Sequence, residues 1–101
     1  MSDVFAVLGD PTRRSILERL STDGPATATR LADEVGISRQ AVAKHLNLLA
    51  DVGLAASERH GRETLFRAEL GALDDVGAWL DRVQGEWKLR LDRLARRVES
   101  T

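Results

Sequence analysis

The chain has 101 residues, of which 43% are hydrophobic and 31% charged, with a net charge of −1. That length suits one domain with a modest core, and that balance excludes a disordered chain or a strongly polyionic one. There is no cysteine, which excludes disulfides, thiolate metal sites and cysteine nucleophiles and points to a reducing compartment. No apolar run approaches the roughly 18 residues of a membrane helix, and no basic start leads into an apolar stretch. A cytoplasmic protein with no membrane contact is expected.

Aromatics make up only 4% of the chain, so Leu, Val and Ala must fill the core, and that composition favours helices. Residues 3–9 read as a short helix with Val4, Phe5 and Leu8 on one stripe. Asp10-Pro11 starts a second helix, with an N-cap followed by proline at the first position, where its missing N–H does no harm. That helix turns Ile16, Leu17 and Leu20 inward and stops near Asp23-Gly24-Pro25. A third helix runs from about Ala28 to Val35, and Gly36 ends it with positive φ. Ser38 caps a fourth helix over residues 39 to about 51, and Gly53 closes it. The period then changes. "LAASERHGRETLFR" predicts two short strands around a tight turn at His60-Gly61. From about Leu70 the helical period returns, and Leu73, Val76, Leu80, Val83, Trp87, Leu91, Leu94 and Val98 recur at steps of three and four. Gly77 and Gly85 weaken this stripe and leave open a kink or a break into two helices.

Two helices joined by a short glycine turn make a helix-turn-helix, and a hairpin directly after makes it winged. Ala32 lies at the helix crossing, Gly36 makes the bend, and Ile37 and Val42 plug the angle. On the fourth helix Val42, Leu46 and Leu49 share one face, while Gln40, Ala43, Lys44 and Asn47 cluster opposite. With the first face held by the core, the second must point outward. A helix fits the DNA major groove, where glutamine can bond adenine as a pair and arginine can bond guanine. Gln40 and Arg39 suit those roles, and Ala43 permits close approach to a thymine methyl. Ser38, Lys44 and the first N–H groups of the helix suit phosphates. Asp51 at the far end would repel phosphates, so the helix should enter N-terminus first. The hairpin tip Arg59-His60-Gly61-Arg62 is the second expected contact, to the backbone or a neighbouring minor groove. Between residues 39 and 67 five basic residues face three acidic ones, a mild local excess of +2. His45 beside the buried stripe reads as a packing residue, and Asp74-Asp75 and Arg96-Arg97 as solvated faces.

The C-terminal stripe has more apolar length than a domain this size can cover, and Trp79 adds to it. Part of the stripe is expected to fold back on its own core, and the remainder to pair with the first helix and with a second copy, with Val4, Phe5, Leu8, Leu73, Val76, Trp79, Leu80, Val83, Trp87, Leu91 and Leu94 as the interface set. The expected architecture is mainly α with a small β-hairpin. It is one winged helix-turn-helix domain over 1–101, with a DNA-binding core at 11–67 and dimerisation helices at 1–9 and 70–99.

The segments "LGDPTRRSILERL", "LADEVGISRQAVAKHLNLLADVGL" and "GRETLFR" resemble the ArsR/SmtB family of bacterial winged-helix repressors. The tail "WLDRVQGEWKLRLDRL" resembles a branch of that family with an extended C-terminal helix. The resemblance implies a homodimer that binds double-stranded operator DNA and represses transcription until an effector loosens it. It also implies that Arg39, Gln40, Ala43 and Lys44 carry the base reading. Metal-sensing members place a cysteine pair where Thr27 and Thr29 stand here, so these two are cast as phosphate contacts or helix caps. Others bind metal with His and Asp on the last helix, and here that helix has no His. No metal and no cofactor are expected. An organic ligand, a protein partner or no effector at all remain open. A winged helix used only for protein contact is the competing reading. Two histidines, with neither Ser/His/acid spacing nor a phosphate loop, leave no catalytic residue to assign.

Overall fold

The computed structural model describes residues 2–99, and the side chains of residues 3–96. Val98, the last member of the expected stripe, and Arg97 have side chains outside that described set. Five helices and one hairpin follow in order: α1 (Ser2–Leu8), α2 (Pro11–Asp23), α3 (Ala28–Val35), α4 (Arg39–Asp51), β1 (Ala55–His60), β2 (Glu63–Ala68) and α5 (Leu73–Glu99).

The start of α2 is fixed from both sides. The Asp10 carboxylate accepts from the backbone N–H groups of Thr12 and Arg13 at 2.8 and 3.1 Å, satisfying two donors that the helix cannot pair internally. In return, Arg13 Nε donates to the Val7 carbonyl at 2.7 Å and Arg14 Nη1 to the Leu8 carbonyl at 2.6 Å. These arginines close the C-terminal end of α1, which has no basic residue of its own in its last turn.

Ile16, Leu31, Val42, Leu46, Leu49 and Leu54 are fully buried and join α2, α3, α4 and the hairpin root into one core. Two residues expected at a subunit interface lie in this core instead. Val4 and Val76 are buried by their own chain, and Leu8 and Leu73 pack half-buried against it. Val7, absent from the expected stripe, is buried beside Val4, so α1 is turned toward the core and presents Phe5 outward.

The hairpin register runs from Ala55 opposite Ala68 to His60 opposite Glu63. The connecting pair is therefore Gly61-Arg62, one residue later than expected. Gly61 takes φ 63° and Arg62 is not left-handed, the φ pattern a type II′ turn requires. Ala26 adds a one-residue bridge to this sheet, exchanging both backbone hydrogen bonds with Phe66 at 3.0 and 2.9 Å. The bridge fixes the hairpin against the entry to α3.

α5 is one helix of 27 residues and runs through Gly77 and Gly85. Its length is about 40 Å at the usual rise. The radius of gyration is 19.0 Å, against about 13 Å for a compact chain of this size. The far part of α5 accordingly stands clear of the core.

Candidate nucleic-acid interface

The turn between α3 and α4 is held by backbone and caps. Gly36 sits in the left-handed region at φ 80°, ψ 31°, and donates its N–H to the Ala32 carbonyl at 2.8 Å. A side chain there would be strained, which is why glycine makes the bend. Ser38 Oγ accepts from the Ala41 N–H at 3.1 Å and starts α4. With Val42, Leu46 and Leu49 fully buried, the opposite face is committed outward. Arg39, Gln40, Lys44 and Asn47 are exposed on it, and Ala43 lies half-buried among them.

Between the start of α3, the start of α4 and the hairpin lies an open cleft of about 1140 Å³. Arg30, Arg39, Arg59 and Arg62 line it together with Thr27 and Thr29. Asp33, Glu34 and Glu63 also reach it. Glu34 is the most constrained of these carboxylates. It accepts from Arg19 Nε at 2.6 Å and Nη2 at 3.3 Å, and from Arg30 Nε at 3.2 Å. The hydrogen bond from Arg19 is the main cause that holds the Glu34 carboxyl below its usual range. Its charge is thus largely matched inside the protein, and the arginines set the sign of the cleft.

The expected site residues divide by position. Thr27 is a cap, its Oγ1 accepting from the Arg30 N–H at 3.2 Å, while Thr29 is exposed on the cleft wall. Arg59 lies on the same hairpin face as its cross-strand partner Thr64. His60, one residue on, points to the other face, where its Nε2 is 3.5 Å from Glu58 Oε2. The period of two therefore separates His60 from Arg59. Arg30 also lines the cleft, and no motif in the sequence marks it. Its one signal is its place in the first turn after the Thr27 cap. His45 is half-buried in α4, and its Nδ1 has no hydrogen-bond partner among the described residues. Also among the described residues, no cluster of three His, Cys, Asp or Glu is placed to hold a metal.

Residues 8–58 match a helix-turn-helix domain family. The transcriptional repressor SdpR of Bacillus subtilis is 32% identical over 80 residues, covering 79% of this chain and 88% of that protein. An ArsR-like transcriptional regulator from Rhodococcus sp. RHA1 superposes with a TM-score of 0.84 at 40% identity, covering 99% of this chain and 91% of that one. The chain belongs to the ArsR family of winged helix-turn-helix transcriptional regulators. It is a DNA-binding regulator rather than an enzyme. The fold is also that of the homodimeric winged helix-turn-helix DNA-binding domain Mb0332 of Mycobacterium bovis, with a TM-score of 0.64 at 24% identity, covering 86% of this chain and 77% of that one. As an ArsR-family chain it departs from thiolate metal sensing, because it has no cysteine. No described helix is long and apolar enough to cross a membrane.

Proposed function

We propose that this ArsR-family chain is a homodimeric repressor that reads duplex operator DNA through the outer face of α4. The observation that carries this reading is the pairing of a flat, polar, exposed α4 face with an arginine-lined cleft beside it. Arg39, Gln40, Ala43 and Asn47 take base edges in the major groove, and Ser38 and Lys44 take phosphates. Thr29, Arg59 and Arg62 hold the backbone on the hairpin side. Thr27 serves by capping α3, and His60 is left at the margin of the contact.

The dimer is supported by the unpartnered stripe. Trp79, Leu80, Trp87, Leu91 and Leu94 are all exposed, at 37–58%. Val83 is half-buried in line with them, and Phe5 meets Trp79 edge-to-face at 5.6 Å. This is a contiguous apolar surface of the kind that marks an interface. The charge on α5 fits a second copy as well. Residues 73–86 carry four acidic residues and one basic, whereas residues 87–99 carry five basic and two acidic. Antiparallel pairing sets the acidic half of each helix on the basic half of its partner. A two-fold pair would place its recognition helices about 34 Å apart, one turn of DNA. The name of SdpR supports repression. Any effector works through chemistry other than thiolate–metal bonds.

The test is to select bound fragments from the source genome and measure affinity for them against salt. Neutralising about six to eight phosphates gives a log–log slope near −6. A flat response would reject DNA and leave protein contact as the use of the α4 face.

A further inference from the structure

We infer that Arg30 is an additional phosphate contact of this interface, and that Glu34 is the positioning residue that aims it. The inference rests on the reading of the cleft as a duplex DNA site. Arg30 stands in the first turn of α3, and the first helix of a helix-turn-helix pair crosses the DNA backbone. Its side chain is 71% exposed and lines the cleft. Only its Nε is engaged among the described residues, at 3.2 Å from Glu34 Oε1. The two terminal nitrogens keep the fork of N–H donors that suits a phosphate.

Glu34 can hold that aim because it is itself held. Arg19 reaches it from α2 at 2.6 Å, and Arg19 is pinned in turn to the Gly24 carbonyl at 2.8 Å. The Arg19 side chain is only 15% exposed, so the clasp has a firm root. Arg19, Glu34 and Arg30 thus form a line of ion pairs from the body of α2 to the cleft. Asp23, 3.7 Å from Arg19 Nε, pairs with the same root away from the cleft lining, so Arg30 is the cationic end that the clasp presents to the cleft. Asp33, the neighbouring residue, provides the contrast: it also reaches the cleft, is exposed, and has no salt bridge among the described residues. A carboxylate that only repels phosphate should behave like Asp33.

The experiment measures binding of the full chain to a selected operator and to an unrelated duplex across a salt series. Arg30→Ala should weaken both by about tenfold and make the slope shallower by about 1 per subunit. Arg30→Lys should restore the slope but not the affinity, because an ammonium cannot be gripped at one nitrogen while presenting a fork. Glu34→Gln should weaken binding by about threefold, the scale of a lost ion-pair tether, whereas Asp33→Asn should tighten it. In the Arg30→Ala background, Glu34→Gln should weaken binding no further, since its aiming role acts only through Arg30. The inference is overturned if Arg30→Ala leaves affinity and slope unchanged. It is also overturned if Glu34→Gln tightens binding as Asp33→Asn does, or if the two losses add. Failure of the underlying reading looks different: the unaltered chain then shows no salt-dependent binding to any duplex.

Discussion

The body of the molecule, residues 2–72, and the long helix α5 follow opposite rules. In the body, the sequence is satisfied within the chain. α2, α3 and α4 each begin on a side-chain cap, the hairpin edge beside α3 is bridged by Ala26, and six large side chains are fully buried. Among the described side chains of α5, Val76 alone is fully absorbed by the core, while two tryptophans and three leucines of the same stripe face solvent. The body holds its own shape, and α5 leaves an apolar stripe that the proposed dimer would cover. On the proposed dimer, burial within one chain separates residues that make the fold from residues left for the assembly.

The sharpest way to break this comparison is to truncate one leucine in each region. Leu46→Ala removes a fully buried side chain from the middle of the core and should cost about 2–5 kcal/mol, read as a lower midpoint in denaturant or thermal unfolding. Leu91→Ala at 58% exposure should change subunit stability by no more than about 0.5 kcal/mol when measured below the dimerisation concentration. Equal losses at the two positions would mean that α5 folds back on its own subunit.

The next effect concerns assembly. Leu91→Glu together with Leu94→Glu puts two carboxylates into the proposed helix pair. Sedimentation should then report the 11.1 kDa subunit alone, with far-UV helicity retained and operator affinity lost. Retention of a dimer of full DNA affinity would place the interface elsewhere and leave the exposed stripe unexplained.

Smaller effects separate two parts of the body. Gln40→Ala should cost about 1–3 kcal/mol of discrimination at one base position, while Arg62→Ala should weaken every sequence alike. Specificity changes at the operator would be read by competition with single-base variants. An operator bound unchanged by the Gln40 variant would mean that α4 enters the groove in another orientation.

Much of the body is legible in the sequence because its signals are local. Asp10-Pro11, Ser38 and Gly36 act on backbone groups within a few residues, so the helix bounds follow from them directly. What escaped depends on contacts between segments distant in sequence. The inward face of α1 is chosen by the core it meets, so Val4 joined Val7 inside and left Phe5 to Trp79. The roles of Arg13 and Arg14 lie in the carbonyls of the preceding helix, which no charge count reveals. A one-residue bridge such as Ala26 with Phe66 has no period to detect. Two glycines in α5 suggested a break, but single glycines cost a helix only about 1 kcal/mol each, and 27 residues absorb that. Sequence adjacency joins His60 and Arg59 in one tip, although adjacent strand residues face opposite ways.

The gentlest prediction tests whether acid sensitivity belongs to the body alone. The Asp10 carboxyl is held below its usual range chiefly by the Arg13 backbone hydrogen bond, and the Glu34 carboxyl chiefly by Arg19. In both cases the unfolded chain takes up the proton first as pH falls, so protonation favours unfolding. Their contribution is complete above the ordinary carboxylate values of about 4 and is lost as pH drops through the lower native values. The melting temperature should therefore hold steady from neutral pH to about 5 and decline below about 4. Asp10→Asn keeps a capping side chain without the charge, so with Glu34→Gln it should flatten the decline. The Leu91→Glu, Leu94→Glu chain should keep a decline of the same steepness, because neither clasp lies in α5. If the decline disappears with the dimer instead, the acid-sensitive groups act across the subunit boundary, and the body is not the self-contained unit that its caps and core describe.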